Sequence, residues 1–302
     1  MKQSATRFDA LLTALAPTVW GSSYIITTEW LPADRPLLAA TVRALPAGII
    51  LIALARRKLM GHWWMRALLL GVLNFSLFFG CLFAAAYHLP GGTLAMVMGI
   101  QPLVVIGLSA LILKQQVTRQ KLLAVFVGLS GLSLLVFTSH AQLDNLGLFI
   151  AALGTVSMAL GNVLIKHWGR PQGVSLVGFT GWQLLFGGLV LLPFTLYIEG
   201  VPEQLTFDNL IGYSYLCLFG AIFGYLIWFR GLERMSPVSA SFIGFMSPVS
   251  ANVLGYLFLD QAFGHIQALG AGLILFSVVI SIWEPNRSKG IDKRHVIAEC
   301  DA

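Results

Sequence analysis

Charge is what this sequence has least of: 11% of its 302 residues are Asp, Glu, Lys or Arg, against 57% that are hydrophobic. So little charge cannot cover a water-soluble globule of this length, and the mean hydropathy of +0.81 marks a polytopic membrane protein. Cysteine is scarce as well. Cys81, Cys217 and Cys300 form no C-x-x-C pair and no metal-ligand spacing with histidine, which excludes a disulfide framework and a zinc site. No G-x-x-x-x-G-K-[ST] occurs, so the chain does not use ATP through a P-loop, and no cofactor or metal is expected. No Asp or Glu stands clearly within an apolar run as a proton carrier would, leaving Glu29, Asp260, His88 and His265 at run ends. The net charge of +6 lies in short basic groups between apolar runs rather than on one face. It reads as a topology signal, and nucleic acid is not an expected partner.

Long apolar runs are what the chain has in abundance. They fall near 8–28, 36–55, 65–87, 93–113, 119–137, 145–166, 175–198, 209–231, 237–258 and 263–283. Each is close to the roughly 20 residues that a membrane helix needs. Ala14-Leu15-Ala16 resembles a signal-cleavage site, but Pro17 follows and the run continues to Thr28, which makes it the first span. With the N-terminus inside, all of the 19 Lys and Arg residues except Arg35 and Arg43 fall on the inner side, while Glu199, Glu203 and Asp208 fall outside. The expected fold is therefore an all-α polytopic membrane protein with ten transmembrane helices, both termini cytoplasmic, set in the lipid of the inner (plasma) membrane.

The chain also repeats itself. Residues 86–113 recur as 232–259: at an offset of 146, Pro102 lies on Pro248, Thr93 on Ser239 and Gln115 on Gln261. At an offset of 140, Gly21 meets Gly161 and Arg43 meets Gln183, so the second half gains six residues between these matches and the later ones. Five spans per half is an odd number, so the halves enter the membrane in opposite senses, as an inverted-topology repeat. The expected units are 1–140 and 141–286, with a disordered cytoplasmic tail at 287–302. A proline within a lipid-length helix frees a backbone carbonyl, which is tolerated only against neighbouring helices or a cavity. Two such prolines at matching places, Pro102 and Pro248, point to a transport pathway.

Candidate binding residues follow, each with a plainer reading beside it. Arg43 is the clear ionisable residue inside an apolar run and suits substrate or anion contact; snorkelling to the outer surface is the plainer role, and Gln183 is its neutral counterpart. Trp20 and Ser23, around Gly21, suit an amphipathic ligand, although Gly and Ser also let helices approach closely. Asn162 needs a partner wherever it points. Asn74, Phe78, Tyr225 and Trp228, with Met98, Ser241 and Phe245, either line a cavity or pack between helices. Gln101 and Ser247 immediately precede the helix-breaking prolines.

Val19-Trp20-Gly21-Ser22-Ser23, Thr41-Val42-Arg43, Leu160-Gly161-Asn162, Trp182-Gln183 and the Pro102 and Pro248 helices together resemble the EamA-type drug/metabolite transporter family, over essentially 1–285. The resemblance implies a ten-span inverted-repeat carrier, often an exporter of amino acids or other small metabolites, with a central cavity lined by spans one, three, four, six, eight and nine. The family often has Gly-Glu after spans four and nine, where this chain has Lys114-Gln115-Gln116 and Asp260-Gln261. Two rivals stand against this reading. Gly128-Leu129-Ser130-Gly131 matches the G-x-S-G of intramembrane serine proteases, but a serine needs a base within reach and all six histidines lie in loops, tails or span ends. A non-transporting receptor or scaffold would be expected to carry a larger soluble part than the short tail after Glu284. The expectation is thus a secondary transporter rather than an enzyme, an exporter working by alternating access on a small molecule, with a homodimer left open.

Overall fold

The computed structural model describes residues 7–32, 35–89, 91–136, 144–202, 204–259 and 264–282; the 287–302 tail and both chain ends lie outside them. Every described element is helical. Among the described residues, nine helices are long and apolar enough to cross a membrane. We number the helices α1 (Arg7–Trp30), α2 (Pro36–Ala55), α3 (Trp63–Gly71, Val72–Ser76 and Leu77–His88), α4 (Gly91–Gly99 and Gln101–Leu113), α5 (Arg119–Val136), α6 (Asn145–Trp168), α7 (Leu176–Ile198), α8 (Phe207–Arg234), α9 (Pro237–Ile243 and Met246–Phe258) and α10 (His265–Ile282). The expected fifth span, α5, opens on Arg119-Gln120-Lys121 and is not among the nine.

Local chemistry sets the helix ends. Pro36 opens α2 where its missing N–H is no loss, and Ser175 caps α7 by accepting from the Gly178 N–H. Thr206 and Asn209 form a reciprocal capping box on α8. Asp144 caps α6, accepting from the Leu146 N–H at 2.9 Å and pairing with His88 Nδ1 at 2.7 Å. These bonds, the backbone one first, hold its carboxyl below the usual carboxylate range. At their far ends α2 and α4 pass into left-handed residues, Arg56 and Lys114.

The helices pair across the two halves of the chain. α1 packs on α9 and α8, α6 packs on α4 and α3, α2 lies along α7, and α5 lies along α10. Small residues let backbones touch, which is how membrane helices associate without a hydrophobic drive between them. A Cβ on Gly131 would stand 2.7 Å from the Gly270 carbonyl oxygen, and one on Gly270 would stand 2.6 Å from that of Gly131.

Two irregularities shape the interior. First, α3 and α8 both widen into π-helix, over Val72–Ser76 and Leu216–Phe223. The stretches of α3 are 9, 5 and 12 residues long, two fewer in total than the 28 of α8, and the longer helix has the longer π-helical segment, 8 residues against 5. Extra residues are thus taken up as π-bulges without losing the helix. Side chains from other helices donate to carbonyls inside both segments: Ser157 to Leu73 at 2.8 Å, and both Trp20 and Arg43 to Gly220 at 2.9 Å. Second, α4 and α9 are each broken just before their proline, at Ile100 and at Gly244-Phe245. The proline therefore sits in the first turn of a new helix rather than bending a continuous one.

Candidate functional site

A cavity of about 410 Å³ lies where the broken α4 and α9 meet α1, α3, α6 and α8, with Leu132 of α5 at its edge. This volume falls in the range of small-molecule sites. Its walls are mostly apolar, including Phe78, Met98, Met158 and Phe245, with a few polar groups from Gln101, Thr155, Ser241 and Ser247. Pro102 cannot donate to the Met98 carbonyl one turn back, and both residues are on the wall. On the opposite break, the Gly244 carbonyl accepts from the Ser247 N–H at 3.0 Å.

Of the residues singled out from sequence, the structure brings Trp20, Phe78, Gln101, Pro102, Trp228, Ser247 and Pro248 to this cavity. Trp20 is held by its bond to Gly220 and by ring contacts with Tyr225 and Trp228 at 4.9 and 5.4 Å. Gln101 Nε2 is out of solvent and has no protein acceptor. A Cβ on Gly21 would meet the Ser247 carbonyl oxygen at 2.7 Å, so this glycine sets how closely α1 and α9 approach at the cavity wall.

Ser23, Asn74, Asn162 and Tyr225 do not line the cavity. Asn74 lies in the π-helical part of α3, donates to the Leu70 carbonyl of its own helix at 3.0 Å and packs against Gly161. Asn162 accepts from Trp228 Nε1 at 3.3 Å, so it supports a wall residue from behind. Tyr225 stands edge-on to Phe75 at 4.6 Å, and Ser23 Oγ is buried without a partner. Arg43 and Gln183 are likewise set back. Arg43 lies between Gly220 and the rings of Phe79 and Tyr225, whereas Gln183 is fully buried and donates to the Phe179 carbonyl of its own helix at 3.2 Å.

One polar centre escaped the sequence reading. Asp9, in the first turn of α1, is buried and ion-paired with Arg230 at 3.1 Å and Arg234 at 3.4 Å on α8. The signal available was two arginines four residues apart, which share one helix face. Lys166 of α6 reaches the same end of α8, donating to the Leu232 and Glu233 carbonyls. By contrast, Ser130 only donates to the Phe126 carbonyl of its own helix, at 2.9 Å.

A multi-pass helical membrane protein with a mainly apolar cavity between two broken helices has the form of a small-molecule carrier. The chain belongs to the EamA-like transporter family, whose profile matches it twice, at residues 7–137 and 145–283. It is similar to Protein PecM of Dickeya dadantii (strain 3937), with 49% identity over 88% of this chain and 89% of that protein. It is also similar to the uncharacterized inner membrane transporter YedA of Escherichia coli (strain K12), at 28% identity over 87% and 86% of the two chains. A probable amino-acid metabolite efflux pump of Salmonella typhimurium is 26% identical over 92% and 96%. One solved crystal structure shares the fold, with a TM-score of 0.78 at 16% identity over 91% of this chain and 96% of that one. Family and relatives alike indicate a membrane transporter rather than an enzyme.

Proposed function

We propose that this protein is a secondary transporter that exports small metabolites, amino acids or other amphipathic compounds, across the inner membrane by alternating access around the central cavity. In this reading ten helices span the membrane with both termini cytoplasmic, in two inverted five-helix halves, 1–140 and 141–286. The observation that carries it is the cavity itself: its walls include both broken helices at their prolines, so a shift of either half reshapes the site directly. Rings and methionines there suit an apolar body, while Gln101 and Ser247 offer hydrogen bonds.

Flux into proteoliposomes of purified protein, against labelled amino acids and amphipathic metabolites with and without an imposed pH gradient, tests this. Saturable uptake of one class is expected. Trp20→Ala, Pro102→Ala and Pro248→Ala should each lower it by about tenfold or more, equivalent to roughly 1.4 kcal/mol or more, while protein still reaches the membrane. Normal transport by all three variants would remove the cavity from the pathway.

A further inference from the structure

Arg43 stands seven residues inside α2, about 10 Å from the Pro36 end at 1.5 Å per residue. A guanidinium at such a depth is costly unless a counter-charge or polar partners meet it. No ion pair among the described residues includes it. The nearby acid of the α7 end, Glu199, is already committed to the Leu37 and Leu38 N–H groups at 2.7 Å. What surrounds Arg43 instead is the Gly220 carbonyl, at 2.9 Å from one terminal nitrogen, and two ring faces, Phe79 and Tyr225, whose centroids lie 5.3 and 5.8 Å from its central carbon. Rings attract a cation but do not neutralise it. Arg43 Nε is out of solvent with no acceptor, and so is the hydroxyl of Ser23 on α1.

Holding the π-helical carbonyl does not account for this cation. Trp20 Nε1 already donates to the same oxygen at the same 2.9 Å, and Trp20 is also a cavity wall. The indole thus separates the cavity from an uncompensated cation, and the single carbonyl oxygen on which both donors converge occupies the place an anionic oxygen would take. We propose that Arg43, with Trp20, forms a subsite for a carboxylate of the transported molecule. The cargo is then a carboxylate-bearing amphiphile whose apolar body lies among the rings and methionines of the cavity. This rests on the transport reading above. A guanidinium fork matches a carboxylate's two oxygens bidentately. Entry needs Trp20 to release Gly220 and Arg43 to exchange that carbonyl for the carboxylate.

Equilibrium dialysis of the purified protein in nanodiscs of uncharged phosphatidylcholine, with labelled phenylacetate and phenylacetamide, tests the subsite apart from flux. The two probes differ only in the carboxylate. The wild type should bind phenylacetate about tenfold or more tightly than phenylacetamide, the scale of a charge-assisted bidentate pair. Arg43→Gln should bring that ratio close to one with phenylacetamide affinity unchanged, and Arg43→Lys, which keeps the charge without the fork, should fall between. If Arg43→Gln does not insert, Arg43→Lys decides, and its ratio should lie several-fold below that of the wild type. Equal binding of the two probes by the wild type, binding of neither, or a ratio unchanged in the Arg43 variants that insert would overturn the proposal. Saturable flux in proteoliposomes with no carboxylate preference would retain the carrier and discard the subsite. Phenylacetate preference without flux of any compound would do the reverse.

Discussion

Whether Trp20 can do its work is decided by a residue without a side chain. A Cβ on Gly224 would stand 2.6 Å from Trp20 Nε1, inside any tolerable contact, so Gly224→Ala must push the indole off the Gly220 carbonyl. Flux of Gly224→Ala should therefore fall by about as much as that of Trp20→Ala, the tenfold scale of one lost positioning contact. Gly107→Ala on α4, whose Cβ would meet nothing within 4 Å, should transport normally. Unimpaired flux in Gly224→Ala would mean that the ring position is immaterial. Trp20, Gln101, Ser247 and the two prolines could be found in the sequence because each is unusual in an apolar run, and Gln101 and Pro102 fall on Ser247 and Pro248 in the second half. Asn74 and Asn162 were equally unusual, yet the need of an amide for a partner does not say where the partner lies. Their direction depends on helix rotation, which an almost wholly apolar helix does not encode as an amphipathic stripe. In α3 and α8 the π-helical turns shift that rotation further, so Tyr225 turns toward Phe75 while Trp228 reaches the cavity.

Between helices, the clasp at the Arg7 end of α1 is the polar contact with most at stake. Asp9 is buried and binds two arginines of α8, both partly exposed. Removing its charge leaves Arg230 and Arg234 without their anion at the junction of α1 and α8. Asp9→Asn should lower unfolding stability in detergent by about 1.5–3 kcal/mol, the range for hydrogen bonds to charged groups, and Asp9→Glu should recover part of it. Because α1 also carries Trp20, looser seating of this end should raise the exposure of introduced thiols near Arg234 when measured by maleimide labelling. Unchanged stability and labelling would reduce the clasp to a surface pair. The sequence concealed it because Asp9 falls at the very start of an apolar run, among residues that read as a flank. The helix breaks were legible from Pro102 and Pro248, but their form was not: proline rules say that a bond is lost, not that the chain restarts with proline in the first turn. The length mismatch between the halves was legible as a six-residue change of offset, and the two of those residues by which α8 exceeds α3 accompany its longer π-helical segment.

At the scale of the whole molecule, sequence and structure support the inverted repeat from different directions. Lys and Arg placement gives each loop a side of the membrane. The packing of α1 on α9 beside that of α6 on α4, with α2 on α7 and α5 on α10 paired across the halves, is what a two-fold axis in the membrane plane generates. The two arguments make one joint demand: with five passes per half, corresponding loops of the two halves must face opposite sides. Single cysteines placed in a variant lacking Cys81, Cys217 and Cys300 test that demand. Val201→Cys, in the exposed loop after α7, should react with a membrane-impermeant maleimide in intact cells, whereas Gln172→Cys, in the exposed loop between α6 and α7, should react only after permeabilisation. The corresponding loop of the first half, between α1 and α2, should then label from outside at Pro32→Cys, opposite in side to Gln172. Labelling of Gln172→Cys and Pro32→Cys from the same side would require an even number of passes between them, and that result would break the five-plus-five architecture on which a shared central cavity and alternating access both depend.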